Sequence, residues 1–165
     1  MRRKDREMGR DFGLMVLGKC EWAVLATVNG DGTPYCIPIT IANDESYLYF
    51  HSAMNGQKIE NLHREARVCL TAVGDTRLAL NEFTTEFECV VVKGAAEEVT
   101  EEAEKLAALR LLCQRHVPSH MDKFDEEMAA SLRRTGVWRV SLADVTAKRK
   151  KYGKDGVELK FGKVE

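Results

Sequence analysis

The sequence predicts a mainly β protein with helices (α+β), built from about six or seven short antiparallel strands with helices inserted between some of them. Three observations carry this. Asn29-Gly30-Asp31-Gly32 is a hairpin turn, because Asn-Gly and Asp-Gly tolerate positive φ. Tyr47–Ser52 and Phe87–Val92 alternate with the period of two of a strand. Thr100, followed by Glu101, Glu102 and Glu104, opens a helix with acids at its positive end. Closing the strands into a barrel would remove exposed edges.

Taken in order, residues Arg2–Arg10 read as loosely held, and Asp11–Cys20 as a short helix ended by Gly18. Trp22–Val28 is apolar except for Thr27, which predicts a strand covered on both faces. After the hairpin turn, Thr33–Ala42 is a second strand with Tyr35, Ile37, Ile39 and Ile41 in one apolar row. Pro38 cannot donate to a neighbouring strand, so it marks an edge, a bulge or an interrupted ladder whose free backbone could meet a ligand. Asn43–Ser46 turns the chain into Tyr47–Ser52, the third consecutive antiparallel strand.

The next turn carries the strongest functional signal. Asn55 is placed to cap a short helix whose Ile59, Leu62 and Ala66 share one face. A helix start bears partial positive charge and free N–H groups and ordinarily attracts Asp or Glu, yet this one begins Gly56-Gln57-Lys58. Glycine, neutral residues and a cation suit a bound anion, and His51 and Ser52 end the preceding strand beside them. The same residues also fit a solvated lysine on a surface helix, with His51 filling a half-buried strand end.

Arg67–Val73 returns to β-type residues, Gly74 and Asp75 turn the chain, and Thr76–Leu80 is a weak strand or connection. In the following strand Phe87, Cys89 and Val91 share one face, and Gly94 marks a bulge or turn. The helix from Thr100 buries Leu106, Leu109 and Cys113; a second spans about Asp122–Arg134. His116 and His120 are four apart, but Pro118 between them favours a loop pair over a metal site. Val137–Leu142 is the last clear strand, and the remainder reads as a tail or a small terminal hairpin.

A length of 165 residues suits one domain, 1–165, with 1–10 and 153–165 as peripheral tails. The net charge of -1 gives no excess that would argue for nucleic acid or a membrane, and the basic run Lys148–Lys151 lacks an aromatic stacking platform. The five cysteines are an odd number without a CxxC pair, which fits reduced thiols in a cytoplasmic protein.

The order NGDGTPYCIPI, LYFHSAMNGQKIENL, VCLTAV, FECVVVKGAAEEV and VWRVSLADVTAK resembles the pyridoxamine 5'-phosphate oxidase-like FMN-binding split barrels, in the branch that includes the nitroimidazole-resistance proteins. The resemblance runs from about Met15 to Tyr152. It implies a six-stranded antiparallel split β-barrel that pairs as a homodimer with FMN at the interface. By position it places Ile37, Pro38, Ile39 and Thr40 along the flavin ring and His51, Ser52, Gln57 and Lys58 by the ribityl phosphate. It places Cys89 on the strand that reaches the flavin, where members often carry Ser or Gln; a thiol is the weaker hydrogen-bond partner. Gln57 stands where the parent oxidases have Arg. The C-terminal substrate-binding residues of those oxidases are missing from AKRKKY, which argues against vitamin B6 oxidation. Lys148 or Arg149 would face the phosphate or the partner subunit.

The activity implied is an FMN-dependent oxidoreductase reducing a small aromatic or nitro-type acceptor, with His51 as the one side chain nominated for more than cofactor contact. The alternative is a non-catalytic flavin- or haem-binding protein, with a histidine as axial ligand.

Overall fold

The computed structural model describes residues 2–79 and 82–161. The expected strand end at Leu80, residue Asn81 and the terminal residues 162–165 lie outside them. The fold begins with β1 (Glu7–Met8) and α1 (Arg10–Lys19), followed by the strands β2 (Ala23–Val28), β3 (Pro34–Ile39), β4 (Ala42–Asn43) and β5 (Tyr47–Ser52). Helix α2 (Gln57–Arg64) leads into the long hairpin of β6 (Arg67–Leu78) and β7 (Thr85–Glu98). Two further helices, α3 (Glu102–His116) and α4 (Phe124–Ser131), precede β8 (Gly136–Ser141) and β9 (Asp144–Lys150).

The nine strands among the described residues form one antiparallel sheet in the order β3-β2-β6-β7-β8-β5-β4, with β9 and β1 branching from β7. Strand β7 joins the two halves: Phe87–Lys93 pair with β9, and Ala96–Glu98 pair with β8. The sheet curls around a core of Leu25, Phe50, Leu70, Val92 and Val140, closed by Val16 and Leu17 of α1. A second core lies outside the curl, where Tyr49 of β5 meets Leu109 and Leu112 of α3 and Phe124 and Met128 of α4. The class is as expected, but the strand count is higher than six because two-residue strands and β9 join the sheet.

Several local expectations are corrected. Residues Glu7 and Met8 are paired with Lys148 and Ala147, and Arg6 is bidentate to Glu158, so the start of the chain is tied down. Helix α1 runs through Gly18 to Lys19. Thr33–Ala42 divides into an edge strand, β3, and β4, which pairs instead with β5, so the first three strands are no simple meander. Pro38 therefore stands on an edge and opposite Val24. Gly74 and Asp75 lie in a β-bulge inside β6, not a turn. Gly94 is carried within β7, opposite Val68.

Helix α2 stops at Arg64, before Ala66. The second expected helix is split, with 3-10 turns at Pro118–Lys123 and Leu132–Arg134 flanking α4. The stripe of α3 is Ala108, Leu109 and Leu112, with Leu106 and Cys113 at its margins. Beyond Ser141 the chain adds β9, whose basic residues are engaged: Arg149 meets Glu88 and packs on Phe12 and Phe161, and Lys150 is buried against Thr84 and Tyr152. Past it, Tyr152 and Glu158 form an isolated bridge.

The expected double cover of Trp22–Val28 does not hold within one chain. Val24 is 39% and Val28 38% exposed, while Ala23 and Leu25 are buried. Their exposed row continues over the sheet through Cys36 and Pro38 of β3 and Val73 of β6. No helix among the described residues is long and apolar enough to cross a membrane.

Candidate functional site

The end of β5, the turn after it and the start of α2 form the centre of the site. Phe50 points into the curled core, so the period of two turns His51 to the opposite side and Ser52 back inward. Ser52 is buried and its hydroxyl accepts from Trp138 Nε1 at 3.3 Å. Gly136 makes room for it, since a Cβ there would stand 2.7 Å from Ser52 Oγ. Ser52 thus braces the strand end against β8.

Helix α2 starts at Gly56, not at the expected cap Asn55, with φ 109° and ψ 170° and no side chain hydrogen-bonded to its first amides. That backbone geometry is close to glycine-only. The carbonyl of Gly56 accepts from Ile59 and Glu60, and the amides of Gln57 and Lys58 at the helix start have no capping side chain. Lys58 is half-buried, its ammonium 5.8 Å from the centre of the Phe50 ring. Burial pushes its pKa down, with no carboxylate among the described residues to offset it. A desolvated cation beside uncapped amides is an arrangement suited to an anion.

Gln57 donates to Asn61 Oδ1 at 3.0 Å, and Asn61 Nδ2 donates to Thr27 Oγ1 at 3.0 Å and Asn29 Oδ1 at 2.9 Å. This fully buried Asn61 fixes α2 to the β2–β3 hairpin. The sequence offered a signal for it, a polar residue between the core positions Ile59 and Leu62, which helical periodicity alone passed over.

His51 counts as exposed, yet its pKa is pushed below the ordinary imidazole value, first by desolvation and then by the charges of Lys58 and His116. The same interactions place Lys58, His51 and His116 in one electrostatic neighbourhood. On the far side of His51 a cleft of about 330 Å3 opens between α3 and α4. Its lining mixes polar residues, Thr40, His51, His116 and Glu127 among them, with the apolar Leu109 and Met128.

The remaining expected residues are distributed around this centre. Ile39 is buried in the core, Ile37 packs at its margin, Pro38 faces outward, and Thr40 reaches the cleft. Cys89 lies on β7, which β2 and β6 separate from the β3 strand of Ile37–Ile39. It lies opposite Val73 on one side and Lys148 on the other, and burial raises its thiol pKa, with Lys148 acting against the shift. His116 and His120 take separate partners, the Ile41 carbonyl and Ser119. Among the described residues no cluster of His, Cys, Asp or Glu forms a metal centre.

A sequence profile described as pyridoxamine 5'-phosphate oxidase matches residues 14–149. The chain belongs to the pyridoxamine 5'-phosphate oxidase family. Solved structures agree with the family fold at low identity. A candidate 5-nitroimidazole antibiotic resistance protein from Bacteroides thetaiotaomicron is 22% identical, with 87% of this chain and 86% of that one covered and a TM-score of 0.73. The flavocytochrome from Azotobacter vinelandii is 18% identical over 95% of this chain and 80% of that one, with the same TM-score of 0.73. An FAD- and haem-binding protein from Mycobacterium smegmatis is 17% identical over 88% of this chain and 73% of its own, also at 0.73. No curated protein matches the chain. The pyridoxamine 5'-phosphate oxidase match takes in α2, β5 and nearly all of β9, so the Lys58 neighbourhood lies wholly inside the family region.

Proposed function

We propose that the protein binds FMN as a homodimer and acts as an oxidoreductase on a small aromatic or nitro-type acceptor. The observation that carries this is Lys58, a half-buried cation without a carboxylate partner among the described residues, at an uncapped helix start within a family-matched region. The ribityl phosphate completes that charge, and Gln57, held by Asn61, lies beside it. The flavin ring runs along the backbone of Ile37, Pro38, Ile39 and Thr40, toward His51. When bound, the flavin supplies the redox chemistry, and the protein supplies position and electrostatics.

The partner subunit covers the outward row of Val24, Val28, Cys36 and Val73, whose continuous apolar surface suits an interface. Cys89 lies on this same side of the sheet, so it meets flavin across the interface. A second reading is a non-catalytic flavin- or haem-binding protein, in which His51 or His116, both on the lining of the cleft, is an axial ligand.

Purification tests these readings together. The expected product is a yellow dimer with flavin absorption that releases FMN on denaturation. A Soret band selects haem, and a colourless protein that fails to take up FMN overturns the flavin assignment.

A further inference from the structure

Hydroxyl groups on the lining of the cleft between α3 and α4 set what it can bind. Ser131 donates to the Glu127 carbonyl at 2.8 Å, and Thr135 donates to the Ser131 carbonyl at 3.0 Å. A hydroxyl carries a single proton, so both are left with lone pairs only. Glu127 adds a carboxylate, which also only accepts. The α4 side of the cleft therefore asks its ligand for donors.

Charge points the same way. Glu127 has no ion-pair partner among the described residues, and neither lysine nor arginine is among those lining the cleft. Arg110 of α3 is taken by Asp125 at 2.9 Å and lies over the Phe124 ring. Helices α3 and α4 both end at the cleft, through His116 and Ser131, and a helix C-terminus carries partial negative charge. The last turn of α4 has no basic residue, and Arg115 of α3 donates instead to the Cys20 carbonyl. The Cys113 thiol, also on the lining, registers this field: burial raises its pKa first, and the Glu127 charge raises it further against the pull of Arg110. Protonation of His51 is disfavoured by its surroundings. Leu109, Leu112 and Met128, all buried, supply apolar surface, and the volume of about 330 Å3 lies at the lower end of the range for small-molecule sites.

We propose that this cleft binds a small organic cation, a protonated primary amine on an apolar body of a single ring, with Glu127 as its counter-ion. The ammonium supplies the N–H donors that Glu127, Ser131 and Thr135 accept. The assignment goes beyond the flavin reading and does not depend on it. Benzylamine, benzyl alcohol and benzoate share a ring and differ in charge, so they are the probes. Affinities are measured by ligand-observed NMR on the full chain without cofactor, at low and high salt, in the wild type, Glu127→Gln and Val117→Trp, each checked by a melting curve. Glu127 is exposed and Val117 is 45% exposed, so neither substitution enters the core.

Benzylamine is expected to bind the wild type about tenfold more tightly than benzoate, with the alcohol between them, and high salt to narrow the gap. Glu127→Gln should cost benzylamine about fivefold and leave the alcohol within about twofold. Val117→Trp, which narrows the cleft, should weaken both by about tenfold. Benzoate binding as tightly as benzylamine overturns the proposal, as does an unchanged benzylamine affinity in Glu127→Gln. Unchanged affinities in Val117→Trp place the ligand elsewhere and overturn the site. A wild type that does not bind benzylamine overturns the proposal outright.

Discussion

The starts of α2 and α3 solve the same electrostatic problem in opposite ways. At α3, Glu101 turns its carboxylate back to accept from the amides of Ala103 at 3.1 Å and Glu104 at 2.7 Å, and those bonds lower its pKa. Glu102 and Glu104 add negative charge in the same turn. At α2 no side chain caps the amides, the cap position is a glycine at positive φ, and Lys58 adds positive charge that only the exposed Glu60 stands near in sequence. One helix is neutralised from within, while the other has no capping side chain at its positive end. The difference separates a capped helix start from an uncapped one, and the proposed phosphate site rests on the second.

The largest expected effect is on Lys58. Lys58→Glu should weaken FMN binding by about a hundredfold or more, since one half of a desolvated charge pair is reversed. Because a carboxylate suits a helix start, thermal unfolding of the cofactor-free protein should be unchanged or slightly raised. Fluorescence quenching of FMN and a melting curve on the same sample separate the two effects. A variant that keeps its flavin affinity would erase the distinction between the helices.

Gly56→Ala should cost about 1–3 kcal/mol of stability, because a Cβ is strained at that φ, and urea titration measures it. The loss should come from backbone strain alone, as nothing lies within 4 Å of the added atom. A smaller effect is expected from pH. The His51 pKa is depressed in the folded protein, so the unfolded chain binds the extra proton first. Stability should therefore fall as pH drops below the ordinary imidazole value of 6.5 toward the folded pKa, and His51→Gln should flatten that part of the profile. An equal slope in both proteins would mean another group is responsible. The smallest effect is at α3, where Glu101→Ala should lower Tm by a few degrees and leave FMN affinity alone.

Much of this contrast is legible in the sequence, because charge at a helix start is a local property. Gly56-Gln57-Lys58 and Glu101-Glu102 can be compared without knowing what packs around them. The hairpin at Asn29–Gly32 and the alternation of Tyr47–Ser52 are local in the same way. What escaped depends on distant partners. Basic residues of β9 read as a tail because Lys148–Lys151 hide the fact that Glu88, Thr84, Phe12 and Tyr152 wait to receive them. The cleft between α3 and α4 draws Thr40 and His51 from strand ends and His116 from a helix end, joined only by the fold. Val24 and Val28 read as doubly covered since a strand with one open face can have the same apolar composition as one buried on both.

The phosphate is the point on which the account turns, and riboflavin lacks it. Titrating the cofactor-free protein with FMN and with riboflavin, in the wild type and in Lys58→Gln, isolates that one group. The account predicts that the wild type prefers FMN by about a hundredfold, and that the substitution removes most of this preference while leaving riboflavin affinity in place. Equal affinities for FMN and riboflavin in the wild type, or a preference that survives the loss of Lys58, would contradict it.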